Sequence, residues 1–444
     1  MRYYIKTYGC QMNVGDSEKL ADILESAGYQ AADEPEEADI LLVNTCVVRQ
    51  NAEDKAAWYI TSAKGLKKEK PHLVIGVCGC LVTEPGRDVK NEFPHVDIFI
   101  APSQPERLVE FLRLSGEEPR RSVSGSERKR VESITRYITI MTGCDNFCSY
   151  CVVPYVRGRE ASRPVKDIIK EIAQANLVKQ PEIFLLGQNV NSYKYGLAKL
   201  LRGIENLLEP AAKSRGSESE EPRRSALPAG RQVSGSERIR FMTNHPKDMS
   251  DDIIDAAAEL PHVCEYFHLP VQHGDDAMLK AMNRGYDMVY YLGLVDKIRA
   301  KMPQAAITGD VIVGYPGETD KQFEATCSAI EKINYDACNT AAYSVRPGTA
   351  ASRFKDDVPD KVKQARLQHA MQVVNKVALE KNKALVGSTQ EVLVDLVQKN
   401  KLCSGRTRGN KIVKFSANKD NLLGKPVNVK ITSAQSWVLK GVLE

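Results

Sequence analysis

Cys144, Cys148 and Cys151 fall in the stretch GCDNFCSYC at C-x3-C-x2-C spacing, directly after the apolar run Tyr137-Ile138-Thr139-Ile140-Met141. Three soft sulfur donors on one loop select an iron–sulfur cluster or zinc. Three is one short of a closed tetrahedral site. An open fourth position is what a reactive metal centre needs, whereas a structural zinc site normally fills it. A zinc knuckle with its fourth ligand elsewhere is the alternative that spacing alone leaves standing. A second set is dispersed: Cys10, Cys46 and Cys80 each follow a run that reads as a strand, with Gly9 and Gly79 beside two of them. One such cysteine is more often a small core residue. Three at the same end of successive strands point to a second cluster. Cys78, two residues before Cys80, is expected inside its strand and facing the core.

The elements that position these residues follow from periodicity. Residues 1–115 alternate strands and helices: strands at Arg2–Tyr8, Asp39–Val43, His72–Val77 and Asp97–Ile100, with helices between them. Asp16 can cap the first helix and Gly28 end it. Alternation of this kind predicts an open parallel sheet with helices on both faces, whose ligands bind at the C-terminal ends of the strands. A polar linker, 116–131, closes the first domain. Over 132–380 strands are expected near 136–142, 182–187, 239–243, 266–271, 306–314 and 338–344. The helices between include one with Ile168, Ile169, Ile172 and Ala173 on one face. Six such units predict a partial TIM-like barrel with its chemistry at the C-terminal rim. A helix from Lys361 to Leu385, with Leu367, Ala370, Met371, Val374 and Ala378 on one face, leads into 381–444. There short β runs at 390–397, 412–415, 427–431 and 436–442 predict a small barrel of the oligonucleotide-binding kind.

Residues 209–238 interrupt the barrel pattern with a Ser-, Arg-, Glu- and Pro-rich stretch that cannot build a core. It repeats the first linker: EEPRRS occurs at 117–122 and 220–225, and VSGSER at 123–128 and 233–238. Both are read as solvent-exposed insertions.

At 444 residues the chain is long enough for about three domains, and 42% apolar with 27% charged residues is ordinary for a soluble globular protein. No run approaches the ~18 apolar residues of a membrane span, and MRYYIKTYGC lacks a signal-peptide core, so a cytoplasmic protein is expected. Eleven cysteines, an odd number, argue for metal ligation in a reducing compartment rather than a disulfide framework. The net charge of +5 is unevenly spread. Residues 381–444 hold 12 Lys and Arg against 4 Asp and Glu, as a nucleic-acid contact would. Arg406 and Arg408, on a glycine-flanked turn, are the candidate phosphate contacts.

The whole chain apart from the insertion resembles the methylthiotransferase family of radical S-adenosylmethionine (SAM) enzymes. The resemblance rests on TYGCQMNVGDSE, NTCVVR, GCDNFCSYCVVPYVRGREASRP, LLGQNVNSY, TNHP, HLPVQHGDD, MNRGY, VGYPGET and SGRTRGN. QMN after Cys10, with LLGQNVNSY, is similar to the branch that makes 2-methylthio-N6-isopentenyladenosine at tRNA position 37, beside the anticodon. Members acting on threonylcarbamoyladenosine in tRNA, or on a ribosomal-protein aspartate, are the alternative. Val47 and Ala161 depart from the usual pattern, as does His273-Gly274-Asp275, which stands where SGS is common.

The resemblance implies an N-terminal cluster domain, a radical SAM barrel and a C-terminal TRAM domain that binds RNA. It implies two [4Fe–4S] clusters. The one on Cys144, Cys148 and Cys151 cleaves SAM reductively, and the one on Cys10, Cys46 and Cys80 holds the sulfur to be donated, with two SAM used per product. Gly187, Gln188 and Asn189 match the superfamily's contacts to the SAM amino and carboxylate groups. Thr243, Gln272 and Asp310 are polar positions in apolar strands, either ribose or adenine contacts or satisfied core polar groups. Arg157, Arg159 and Arg163 can bind the SAM carboxylate or RNA phosphates. The implied partners are the tRNA anticodon stem-loop, an electron donor of the flavodoxin or ferredoxin type and a sulfur source, the enzyme working as a monomer. Two rivals from other classes remain: a non-enzymatic RNA-binding protein leaves the cysteine sets unexplained, and an iron–sulfur electron carrier leaves the barrel and basic module unexplained.

Overall fold

A computed structural model describes residues 1–114, 133–208, 237–398, 400–417 and 421–444. The linker and nearly all of the repeated insertion lie outside the described residues. The chain forms two compact units. The first gathers Met1–Glu132, Thr142–Ala161 and Ser344–Phe354; the second gathers Ser133–Met141, Ser162–Tyr343 and Lys355–Glu444.

The first unit is built on a five-stranded sheet in the order Gln30–Ala31, Arg2–Thr7, Ile40–Thr45, Val74–Gly79, Ile98–Ile100. All its pairings are parallel. The central strand Ile40–Thr45 is buried along its whole length, as a strand covered on both faces must be. On one face Leu41, Val43, Ile75 and Val77 pack with Ile60 of the helix Gln50–Glu69. On the other, Ile40 and Leu42 pack with Leu20 and Leu24 of the helix Gln11–Ser26 and with Leu108 and Leu112. Cys78 lies in this second core, 2% exposed, as its place inside the strand predicts. The segment Thr142–Ala161 belongs to this unit, where Val152 and Val156 join the first core.

The second unit holds two three-stranded parallel sheets. One orders Thr135–Thr139, Glu182–Leu186 and Arg238–Phe241; the other orders Tyr266–His268, Ala306–Val313 and Ala337–Ala342. A parallel bridge from Ile239 to Val263 and a bond from Asn244 N–H to the His268 carbonyl (3.3 Å) link the halves into the expected partial barrel. Ile138, Ile183, Leu185, Ile239, Phe241 and Phe267 share one core with the surrounding helices.

The helix Asp360–Lys383 buries Ala370, Val374, Val377 and Ala378, while Met371, placed by periodicity on the same face, is 47% exposed. The buried stripe also takes in Lys363 and Arg366, whose charges find partners. The chain ends in a closed five-stranded barrel ordered Thr389–Val397, Leu402–Thr407, Ile412–Ser416, Val438–Leu443, Pro426–Ala434. Leu402–Thr407 is a further strand, so Arg406, expected on a glycine-flanked turn, lies in a strand, and Arg408 is on the turn that follows it. Cys403, Gly405 and Thr407 alternate inward, and Gly405 is required because a Cβ there would stand 2.3 Å from the Leu393 carbonyl oxygen.

Candidate functional site

Parallel register places the three dispersed cysteines at one rim. Thr7 pairs with Asn44 and Asn44 with Cys78, while Thr45 pairs with Gly79, so Cys46 and Cys80 follow one register pair directly. Gly9 and Gly79 have φ of +141° and +93°. A Cβ on Gly9 would sit 2.7 Å from that of Cys46, and one on Gly79 would sit 2.3 Å from the Thr45 carbonyl oxygen. Behind the cysteines is a buried polar lattice. Asn13 Nδ2 donates to Asn44 Oδ1 (3.0 Å) and to the Thr45 carbonyl (2.9 Å), and its Oδ1 accepts the Cys10 N–H (3.2 Å). Thr45 Oγ1 donates to the Cys78 carbonyl (2.7 Å) and accepts from the Leu81 N–H (3.3 Å). Asn13, Asn44 and Thr45 are fully buried, so each polar atom needs such a partner.

Electrostatics prepares one of these sulfurs, that of Cys10, as a thiolate. Cys10 caps the helix Gln11–Ser26. A hydrogen bond from Cys46, the Arg157 charge and the N–H groups of Asn13 and Met12 bring its pKa down to about 6 against the opposing effect of burial. The same pairing with Cys10, together with burial, pushes Cys46 up. Burial also raises Cys80, although Arg157 pulls it the other way. Arg157 Nε lies 3.3 Å from Cys80 Sγ, and its Nη2 donates to Asp16 Oδ2 at 2.8 Å. Three thiols from three strand ends, one ionised near neutrality and two of them, Cys10 and Cys80, beside one buried guanidinium, fit an iron–sulfur cluster in which each cysteine binds its own iron.

The second cysteine set lies in the same compact unit. Gly143, with φ of +76°, is needed because a Cβ would meet the Arg159 carbonyl oxygen at 2.1 Å. The Cys144 N–H donates to the Gly158 carbonyl (3.2 Å) and that of Cys151 to Cys148 (2.9 Å), while Asp145 and Glu160 bond each other's backbone N–H. The Ala351 N–H, from the separate segment Ser344–Phe354, donates to the Ser149 carbonyl at 2.7 Å. Burial raises the Cys144 thiol to about 11, so its ionisation needs a metal or a cation. Three thiols on so tightly held a loop fit a cluster with one open position. Of the three nearby arginines, Arg159 stays 70% exposed, beside Asp145 and over the Phe147 ring. Arg157 is buried against the other cysteine set. Arg163, in the second unit, donates to the Thr139 carbonyl (2.7 Å) and pairs with Glu171 (2.7 Å).

The remaining candidates lie in the second unit. Gly187 ends a barrel strand where a Cβ would stand 2.6 Å from Met141 Cγ; Gln188 follows, half-buried. Asn189 is buried, its Nδ2 donating to Asp248 Oδ2 (2.7 Å) and its Oδ1 accepting the His245 N–H (3.1 Å). Thr243 and Gln272 have φ of +71° and +72°, and Thr243 is exposed. Asp310 Oδ2 meets His268 Nε2 at 3.1 Å, and its Oδ1 accepts from Asn339 Nδ2 at 2.8 Å. Sequence reasoning missed His268, Asn339 and His245. The inward-facing alternation along the barrel strands was the available signal for the first two. Burial, with Arg284 and Lys247 nearby, lowers His245 to about 2 and keeps it neutral.

The unusual His273-Gly274-Asp275 is a structural device. His273 Nδ1 accepts the Asp275 N–H (3.0 Å), so its proton sits on Nε2 and is donated to Glu318 Oε1 (2.9 Å). Glu318 Oε2 in turn accepts from Arg366 Nη1 (2.7 Å), and Asp275 caps the helix Asp276–Ala281.

The two candidate RNA contacts have different surroundings. Arg408 is committed to docking its barrel: its Nη2 donates to Glu265 Oε1 (2.8 Å) and to the Val263 carbonyl (2.6 Å), its Nε to Glu265 Oε2 (2.9 Å). Arg406 is 42% exposed, with only a 3.6 Å approach to Asp395 and a 3.3 Å bond to Asn410. The carbonyls of Arg406, Thr407 and Arg408 accept from Arg238 and Arg240, buried side chains of a barrel strand.

This architecture is that of a radical SAM enzyme. Residues 138–330 match the radical SAM superfamily and residues 383–443 the TRAM domain, while residues 2–101 match the uncharacterized protein family UPF0004. The fold is similar to that of the radical SAM methyltransferase TsrM from Kitasatospora setae, at TM-score 0.57 and 12% identity over 88% of this chain and 78% of that one. The chain is 43% identical to the tRNA-2-methylthio-N(6)-dimethylallyladenosine synthase of Carboxydothermus hydrogenoformans, over 99% of both chains. It is 41% identical to those of Clostridium botulinum (strain Langeland) and Thermoanaerobacter sp. (strain X514), over 99% of this chain and 96% and 92% of theirs. The chain belongs to this family of radical SAM tRNA methylthiotransferases. Membership carries a [4Fe–4S] cluster and SAM as cofactors. Among the described residues no helix is long and apolar enough to cross a membrane.

Proposed function

We propose that the protein adds a methylthio group to C2 of N6-isopentenyladenosine at tRNA position 37, using two [4Fe–4S] clusters and two SAM per product. The observation that carries this reading is the pairing of two three-thiol sets in one compact unit, one at a strand rim and one on a loop. When bound, the clusters and SAM supply the radical and sulfur chemistry that an unactivated aromatic C–H bond demands and side-chain acid–base groups cannot provide.

The chain's own residues bind and position. Asn13, Asn44 and Thr45 fix the rim on which Cys10, Cys46 and Cys80 stand. Arg157 holds positive charge against Cys80 and neutralises Asp16. Gly143 and the Asp145–Glu160 pair shape the loop of Cys144, Cys148 and Cys151. Gly187, Gln188, Asn189, Thr243, Gln272, Asp310 and Arg159 are assigned to SAM. Arg406 is assigned to RNA phosphate, with Arg408 acting through docking. The assignment keeps 1–115 as the cluster domain, 132–380 as the radical SAM barrel and 381–444 as the RNA-binding domain. It also requires an external one-electron donor of the flavodoxin or ferredoxin type and a sulfur source, and it places a monomeric enzyme in the cytoplasm with its tRNA.

The test is anaerobic reconstitution with iron and sulfide, then incubation with SAM, reductant and tRNA carrying N6-isopentenyladenosine. Nucleoside mass spectrometry is expected to show the 2-methylthio product. Product only on tRNA carrying N6-threonylcarbamoyladenosine, or only on a ribosomal protein, would replace this substrate.

A further inference from the structure

The strand that leads into Cys10 carries a face the fold covers only in part. Tyr4, Lys6 and Tyr8 point to the same side of the sheet, and the Tyr8 N–H still bonds the Asn44 carbonyl (2.8 Å), so the extended geometry persists to Tyr8. The helix Gln50–Glu69 packs over the two neighbouring strands, Ile40–Thr45 and Val74–Gly79. Beyond Arg2–Thr7 lies only the two-residue strand Gln30–Ala31. Tyr4, Lys6 and Tyr8 are therefore left half-exposed. The helix adds Lys55, Trp58 and Tyr59, which share one face at i, i+3 and i+4. The Tyr8 and Tyr59 rings are 6.0 Å apart, Lys6 Nζ stands 5.9 Å from the Tyr59 ring centre, and Trp58 is 71% exposed. Glu34 and Glu36 are the acidic neighbours of Tyr59, and Lys70 holds the Glu36 carbonyl.

We propose that this aromatic and basic face is a stacking platform for the unpaired anticodon-loop bases that flank the target adenosine. The proposal rests on the tRNA reading above. Aromatic rings interleaved with lysines are the chemistry that holds single-stranded nucleic acid, because every base offers a π-face and every nucleotide a phosphate. Position selects the loop as occupant. Only Gly9 separates Tyr8 from Cys10, two steps along the chain that reach at most about 7 Å. A base presented at the Cys10 rim thus has its neighbour over Tyr8 and Tyr59. A base drawn out of its stack loses its stacking partners, and the platform replaces them for the nucleotides left behind.

The full-length reconstituted enzyme tests this with an anticodon stem-loop carrying N6-isopentenyladenosine and 2-aminopurine at the adjacent nucleotide. Wild type should quench the 2-aminopurine fluorescence. Tyr8→Ala with Tyr59→Ala should abolish the quench and weaken Kd by roughly five- to a hundredfold. Iron content and RNA-independent SAM cleavage should match wild type. Tyr8→Phe with Tyr59→Phe should retain quench and affinity, and Trp58→Ala, at an exposed position, should weaken binding even if the double alanine variant fails to fold. Unchanged quench and affinity in the alanine variants would overturn the platform while leaving the tRNA reading intact. Normal RNA binding with activity lost only under a protein electron donor, and restored by dithionite, would reassign the face to that donor. Wild-type protein that neither binds nor quenches the stem-loop would overturn both readings.

Discussion

Arg157 Nε lies 3.3 Å from Cys80 Sγ, although the two residues are 77 apart in the chain and Arg157 follows the other cysteine set. The guanidinium is 5% exposed and also pairs with Asp16. Replacing it by Met strands a largely buried carboxylate and removes a cation that faces Cys10 and Cys80. Arg157→Met should lower stability by about 3–5 kcal/mol, as breaking a buried pair does. In protein that still folds, iron bound by Cys10, Cys46 and Cys80 should fall while that bound by Cys144, Cys148 and Cys151 stays. Iron analysis of Arg157→Met combined with the Cys144/Cys148/Cys151→Ala triple variant isolates the first set. Full retention there would show that Arg157 plays no part in holding the cluster.

The ligand sets should separate cleanly. Cys144, Cys148 and Cys151→Ala should halve the iron of fully reconstituted protein and abolish 5′-deoxyadenosine formation. Cys10, Cys46 and Cys80→Ala should halve it too but leave SAM cleavage partly intact. Cys78→Ala should leave iron unchanged, because that thiol lies in the core on the far side of the sheet, 3.5 Å from the Val43 carbonyl oxygen. Full iron in either triple variant would mean the ligands are misassigned.

Much of this arrangement was legible in the sequence, for a physical reason. Strand-to-loop junctions such as Gly9-Cys10 and Gly79-Cys80 are local, and a parallel sheet brings such junctions to one rim by construction. Arg406 is expected on a turn because of the glycines beside it, but Gly405 serves close strand packing, which only the partner Leu393 reveals. Arg157 and Arg408 were read as ligand contacts because an arginine's partner is set by tertiary approach. Nothing near them in sequence announces Cys80 or Glu265. Met371 shows the same limit on a helix, whose buried stripe depends on what packs against it.

His273 and Glu318 are both fully buried and share one proton bridge, with Arg366 on the far carboxylate oxygen. Arg366 Nε already lacks a partner, so the network has little slack. Glu318→Ala should cost about 3–5 kcal/mol, because two buried cationic or donor groups lose their acceptor. His273→Ser should cost less, on the order of 1–3 kcal/mol, the price of one unsatisfied buried acceptor. Chemical denaturation at neutral pH measures both. Equal effects would show that the histidine, not the carboxylate, anchors the network.

Acid should loosen the C-terminal barrel from the radical SAM barrel within the second unit. Burial alone would raise Glu182, Glu265 and Asp336, but Arg240, Arg408 and the pair Lys411 and Lys381 outweigh it and hold all three below the usual carboxylate range. A depressed carboxylate stabilises above its unfolded pKa and loses that contribution as pH falls through its folded pKa. The melting temperature should therefore be flat in this respect from pH 7 to about 5 and drop below about 4. Glu265→Gln should remove part of that acid-dependent loss. A melting curve whose acid limb is unchanged in this variant would exclude the pair with Arg408 as a source of it.

How the C-terminal barrel serves RNA binding is best tested with point variants, because removing it would uncover Arg238 and Arg240, whose guanidinium groups donate to the carbonyls of Arg406, Thr407 and Arg408 as well as to Glu391 and Glu182. A truncation after Val386 should thus destabilise the radical SAM barrel as well as weaken tRNA binding. Arg406 and Arg408 separate the two effects. Arg406→Ala, at a half-exposed side chain with weak internal partners, should weaken tRNA binding and flatten its salt dependence by roughly 0.7–0.9 in slope for one lost phosphate contact. Arg408→Ala should instead leave Glu265 unpaired, lower the melting temperature, and change the salt slope little. Binding isotherms at four or five salt concentrations, beside thermal melts of both variants, decide the matter. A flattened slope in Arg408→Ala with unchanged stability would mean that its pairing with Glu265 gives way to phosphate when RNA binds.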